Sequence, residues 1–139
     1  MTCSFDLDPR LRHDTVFVTA LTLSDLRLMN DSRWPWLVLV PRLAGAQEWH
    51  RLSCRERAVL DTETSRIAAL LEADTGCDKI NIGALGNIVR QLHIHIVARK
   101  AGDSNWPGPV WGYGQRQPYD ENALTALVQR YQALLAHGG

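Results

Sequence analysis

Net charge is what this sequence has least of. Fifteen Lys and Arg balance fifteen Asp and Glu, and no long basic tract breaks the balance. A protein that grips a nucleic-acid polymer needs a concentrated phosphate-neutralising surface, so no nucleic-acid polymer is expected as a partner. A small phosphate ligand needs only a local positive patch, and neutrality does not count against it. Cysteine is scarce too. Cys3, Cys54 and Cys77 are odd in number, far apart and without a CxxC, which is neither a disulfide framework nor a zinc knuckle and points to a reducing, cytoplasmic setting. No apolar run is long enough to cross a bilayer. The start, Met1-Thr-Cys-Ser-Phe-Asp-Leu-Asp8, has no basic head followed by an apolar stretch, so neither a signal peptide nor a membrane partner is expected. Repeats and linkers are absent, and 139 residues make one domain over residues 1–139.

What is there reads first as strands. Thr15-Val-Phe-Val-Thr-Ala-Leu-Thr-Leu23 is β-branched and apolar, and Leu26-Arg-Leu-Met29 alternates before the turn cluster Asn30-Asp31-Ser32. Trp36-Leu-Val-Leu-Val40 is a continuous apolar run closed by Pro41, which predicts a central strand. The short turns between these segments favour antiparallel neighbours. Ser53 and Glu56 form a capping-box pattern ahead of Val59, Leu60, Ile67, Leu70 and Leu71 at helical spacing, with Gly76 as a stop. Lys79–Gly83 and Leu92–Ala98 then alternate with period two, as strands do.

Residues 100–118 form a Gly/Pro/Trp-rich loop. Its tryptophans, Trp106 and Trp111, have large apolar faces to bury. The loop is therefore expected to close over a ligand site or over a twofold partner. A C-terminal helix over residues 120–137 is capped by Asp120 and carries Leu124, Leu127, Val128, Tyr131, Leu134 and Leu135 on one stripe. The expected fold class is α+β: an antiparallel sheet of about five strands with two main helices.

Chemistry concentrates in Leu92-His93-Ile94-His95. On a strand, His93, His95, Val97 and Arg99 share one face, and Leu92, Ile94, Ile96 and Ala98 the other. Because the second set is apolar it is expected to meet the core, leaving two imidazoles together on the opposite face, roughly 7 Å apart at the backbone. One neutral ring can attack phosphorus while the other, protonated, holds a non-bridging oxygen. HxH on a strand is equally a half-site for zinc, lacking here a third ligand unless His13, His50 or His137 comes near. A plain structural pair is the third reading, and spacing does not choose among them. Gly83 and Gly86 flank the approach: their backbone N–H groups can cradle phosphate, or they make an ordinary tight connection. Asn81 is out of phase with Ile80 and Ile82 and so belongs to the histidine side. Asn30 sits in a turn, where it bonds a ligand or its own backbone.

The stretch Gly86-Asn-Ile-Val-Arg-Gln-Leu-His-Ile-His-Ile-Val-Ala-Arg99, with the Asn30 turn and Trp36-Leu-Val-Leu-Val-Pro-Arg42, resembles the histidine-triad (HIT) family of hydrolases and transferases. Trp106-Pro-Gly-Pro-Val-Trp-Gly112 is similar to an element of its bacterial diadenosine-tetraphosphate-hydrolase-like branch. The resemblance spans about residues 8 to 112. It implies a HIT-like fold, a homodimer, no cofactor, and a nucleotide substrate such as a dinucleoside polyphosphate cleaved at its α-phosphorus through a nucleotidyl-histidine. By the same resemblance His93 is the nucleophile and His95 the third histidine, contacting phosphate. Asn81 and Asn87 match polar positions of the phosphate site, Gly86 belongs to its approach, and Asn30 matches the ribose-binding position. Two departures stand out. Gln91 replaces the first histidine of the triad, where an amide can still bond the His93 ring but cannot take a proton. Ile88 replaces a common Ser or Thr, removing a hydroxyl near the leaving group. The alternatives carried alongside hydrolysis are nucleotidyl transfer or phosphoramidase activity, a nucleotide-binding protein with little catalysis, and a metal site on His93 and His95.

Overall fold

The computed structural model describes residues 4–138, so Cys3 lies outside the described residues. Five β-rich segments become strands: β1 Thr15–Ala20, β2 Ser24–Met29, β3 Trp36–Pro41, β4 Lys79–Gly83 and β5 Ile94–Arg99. They form one sheet in the order β1-β2-β3-β5-β4, with every neighbouring pair antiparallel. The continuous apolar run of β3 sits in the middle, as its lack of alternation requires. The first segment stops at Ala20 because the chain turns there, with Leu21 N–H donating to Ser24 O at 2.8 Å.

Three α-helices occur among the described residues: α1 Pro9–Asp14, α2 Cys54–Thr75 and α3 Glu121–His137. α2 begins with the reciprocal Ser53–Glu56 capping box and ends at Gly76 in the left-handed conformation, φ 61°. Gly76 is therefore a true C-cap, since a Cβ disfavours that region. α3 starts where Asp120 accepts from Ala123 N–H. The short α1 was not foreseen, yet its signal is present: the Asp8 carboxylate caps the helix through Arg10 N–H and Pro9 occupies its first turn.

The sheet is buried on both faces, which corrects the expectation that the histidine face lies outside the core. On one face Leu92, Ile94, Ile96 and Ala98 pack with Leu37 and Leu39 against Leu60, Ile67 and Leu71 of α2 and Tyr131 of α3. On the other, Trp36, Val38, Val40 and Val97 form a second cluster with Leu11, Trp34 and Val110. All six residues of β5 are buried. The covering comes from the N-terminal arm, α1 and the 100–118 loop, segments whose apolar content is spread too thinly to show as a periodic stripe.

That loop is pinned rather than free. The Arg99 side chain, 1% exposed, donates to both carboxylate oxygens of Asp103 at 2.8 and 2.7 Å and to Gly108 O at 2.8 Å. The Trp34 indole N–H donates to Ser104 O at 3.0 Å. The loop thus folds onto its own sheet, with Val110 buried and Trp106 left partly exposed.

Candidate active site

His93 immediately precedes β5 and His95 is its second residue. His95 faces Val38 of β3 on one side and Gly83 of β4 on the other. The two imidazoles meet edge to face, ring centroids 4.7 Å apart. Both residues are 5% exposed, so they are far less open than two rings on a solvent face.

The hydrogen bonds assign each ring a job. His93 Nδ1 lies 2.6 Å from the backbone oxygen of Gln91. A carbonyl only accepts, so Nδ1 carries the proton and Nε2 holds the lone pair in the neutral ring. Burial lowers the His93 pKa, while the bond to Gln91 O and the charge of Asp8 work against that lowering. The ring is consequently neutral at physiological pH. His95 is pushed down to about 3, first by burial and then by its neighbour His93, with a backbone hydrogen bond to Leu85 opposing. The cationic second histidine expected from the sequence is replaced by a neutral one. The physical reason is desolvation: Trp36 and Trp111 each stand 5.6 Å from the His95 ring, edge to face.

In front of His93 opens a cleft of about 240 Å³. Gly86, Asn87, Gln47, Glu48, Arg90 and Gln91 line it with His93. Arg90 supplies a local positive charge and Glu48 a negative one. Gly86 is needed for the tightness of its turn, because a Cβ there would meet the Val89 carbonyl oxygen at 2.9 Å.

The structure therefore brings His93, Gly86, Asn87 and Gln91 together around one cleft, with the His95 ring packed edge to face against that of His93. Asn81 and Asn30 are placed elsewhere. Asn81 shares the histidine face of the sheet, where its amide oxygen lies 3.4 Å from Arg99 Nη1. Asn30 accepts from Tyr119 N–H at 2.9 Å and ties the segment after the loop to the end of β2. Ile88 is 76% exposed. Gln91 faces away from the His93 ring: its amide accepts from Asp8 N–H and donates to Asp6 O, both at 2.8 Å. That two-point clamp copies a strand pairing and holds the N-terminal arm. The orienting bond to His93 comes instead from the Gln91 backbone, so it survives the change of side chain.

Gln47 and Glu48 were not anticipated. They follow β3 in a loop brought over by the bond from Leu92 N–H to Ala46 O, 2.9 Å. Nothing in their local sequence marks them. Among the described residues, no group of three or more His, Cys, Asp or Glu is arranged to hold a metal ion, and no helix is long and apolar enough to cross a membrane. Cys54 and Cys77 are free thiols.

A paired-histidine strand between the central strand and an edge strand of a five-stranded antiparallel sheet defines the class, and comparison names it. The HIT domain family matches residues 10–102, and the chain belongs to that family. A crystal structure of a histidine triad protein from Sinorhizobium meliloti 1021 is 50% identical, with a TM-score of 0.90 over 93% of this chain and 96% of that one. A histidine triad protein from Marinobacter aquaeolei VT8 is 39% identical, with a TM-score of 0.94 over 99% and 100%. The diadenosine triphosphate hydrolase of Plasmodium falciparum, 13% identical with a TM-score of 0.67 over 95% and 80%, shares the fold alone. None of the curated proteins matches the chain.

Proposed function

We propose that this protein is a nucleotide hydrolase of the diadenosine-tetraphosphate-hydrolase-like branch, cleaving the α-phosphate linkage of dinucleoside polyphosphates or related nucleotide conjugates. The observation that carries the reading is the His93 ring. Its Nδ1–H is held by Gln91 O, which leaves the lone pair on Nε2 of a residue that lines the cleft together with Arg90. In the first step Nε2 attacks the α-phosphorus; a P–N bond forms and the P–O bond to the leaving group breaks. The ring becomes cationic as it gives up its lone pair, and Gln91 O stabilises the proton left on Nδ1. Water then attacks the same phosphorus, the P–N bond breaks, a proton leaves with the solvent, and neutral His93 returns. Alignment and charge stabilisation are what phosphoryl chemistry mainly requires.

Substrate binding is assigned to Gly86 and Asn87 at the cleft, with Asn81 and Asn30 as outlying positions carried by the resemblance. A homodimer fits the same reading: β4 is an edge strand, and Ile82 on it and Leu85 and Ile88 in the connection that follows are exposed apolar side chains. An apolar edge strand is a surface that a second chain covers.

The test uses purified protein on a panel of dinucleoside polyphosphates and nucleoside phosphoramidates, wild type against His93→Ala. Lost turnover with retained nucleotide binding, and a nucleotidyl adduct on His93 by mass spectrometry, are expected. Unchanged turnover in His93→Ala refutes the nucleophile. Binding without turnover in the wild type favours the weakly catalytic binder, for which Ile88 in place of a hydroxyl is the supporting feature. Phosphoramidates turned over in preference to polyphosphates would favour the phosphoramidase alternative.

A further inference from the structure

The Trp36 indole nitrogen lies 3.0 Å from His95 Nδ1, in a buried hydrogen bond. An indole N–H only donates, so His95 Nδ1 must present a lone pair. In the neutral ring the proton then resides on Nε2. A ring protonated at both nitrogens would set N–H against N–H across that 3.0 Å.

Trp36 is well held for this task. It pairs with Val97 across the β3–β5 ladder while Val38 pairs with His95, so the indole reaches diagonally along the shared face. It is 6% exposed and meets Trp34 edge to face at 6.1 Å. Trp111 closes the other flank of His95, seated where Gly83 leaves room: a Cβ on Gly83 would stand 3.0 Å from the Trp111 ring. The titratable neighbour acting on His95 is His93. The other ring nitrogen, Nε2, donates its proton to the backbone carbonyl of Leu85, within the Ala84–Asn87 turn that lines the cleft.

We propose that Trp36 is a positioning residue that fixes His95 as the neutral Nε2–H tautomer, so that the proton resting on the Leu85 carbonyl is a donor that a phosphate oxygen bound beside His93 takes over from that turn. The consequence for turnover rests on the nucleotide-cleaving reading of His93; the tautomer does not. Without the indole N–H, only the Leu85 carbonyl holds the His95 proton on Nε2, and a share of the rings carries it on Nδ1 instead. Nε2 would then present a lone pair to an anionic oxygen, and the ring would oppose the charge it should stabilise.

The experiment uses full-length protein labelled with nitrogen-15 histidine, as wild type and as Trp36→Phe, which keeps an aromatic ring and removes the donor. Two-bond proton–nitrogen correlation spectra distinguish the tautomers. The wild type is expected to show His95 as Nε2–H and untitrated between about pH 5.5 and 8.5. Trp36→Phe is expected to show a mixture containing Nδ1–H, with kcat on a dinucleoside polyphosphate lowered about 10- to 100-fold and KM changed less than about twofold. A wild-type His95 that is Nδ1–H or charged overturns the proposal, as does an unchanged tautomer in Trp36→Phe. If Trp36→Phe does not fold, the wild-type tautomer together with a downfield Trp36 indole proton decides the matter. A wild type that turns over none of the nucleotides while showing the Nε2–H tautomer faults the proposed function and leaves the tautomer assignment standing.

Discussion

Mild acid should destabilise this protein through His95, and the size of the effect follows from its surroundings. In the unfolded chain a histidine titrates near 6.5, whereas in the fold His95 is held down to about 3, chiefly by burial. Between those values the unfolded chain binds a proton at this residue and the folded chain does not. The stability it contributes is therefore present above 6.5 and is lost as the pH falls toward 3. One proton of difference is worth about 1.4 kcal/mol per pH unit, so moving from pH 7 to pH 5 costs about 2 kcal/mol from His95 alone. With a urea slope of about 1.5 kcal/mol per molar, the midpoint drops by about 1 M. Equilibrium urea unfolding at several pH values, on wild type and His95→Gln, isolates this contribution. His93 is also lowered but is common to both proteins, and the paired carboxylates of Asp31 and Asp103 titrate below this window. The wild type should lose stability faster than the variant by about one proton's slope. Parallel pH dependences would mean that His95 takes up its proton in the fold, and the neutral-ring reasoning would fail with it.

Gln91→His should keep the His93 ring in place, since residue 91 holds it through its backbone, but should release the N-terminal arm at a cost of about 1 kcal/mol. Amide hydrogen exchange at Asp8 reads that release directly, and unchanged protection would show that the clamp holds nothing. Arg99→Ala should cost about 3 kcal/mol, because it strips the Asp103 carboxylate and two loop carbonyls of a buried partner; a loss under about 1 kcal/mol in a urea melt would contradict this. Gly83→Ala should push the Trp111 ring off its seat and raise Trp111 exposure, seen as a shift and quenching of its fluorescence. An unaltered emission spectrum would show that the ring does not depend on that glycine.

Much of this molecule could be read from residue order. The strand periods, the Ser53–Glu56 capping box, the Gly76 stop and the Asp120 cap depend on neighbours within a few positions, and each appears where local pattern places it. The phase of Leu92-His93-Ile94-His95 was legible for the same reason: a strand alternates whatever surrounds it. The HIT resemblance added the fold and the candidate nucleophile. What the second face of the sheet meets was a different matter. Whether His95 is exposed and cationic or buried and neutral depends on Trp36, Trp111 and Gly83, which lie far from it along the chain.

The same division runs through Gln91. Its identity marks the departure from three histidines, yet only the folded chain shows its side chain spent on Asp6 and Asp8 while its carbonyl orients His93. The order of residues determined the strands, the helices and which side chains share a face, because those follow from short-range sterics and periodicity. Tertiary structure alone decided the protonation of the two rings, the walls of the cleft and the grip on the arm. Desolvation and hydrogen bonding act through space, between groups that the sequence holds tens of residues apart.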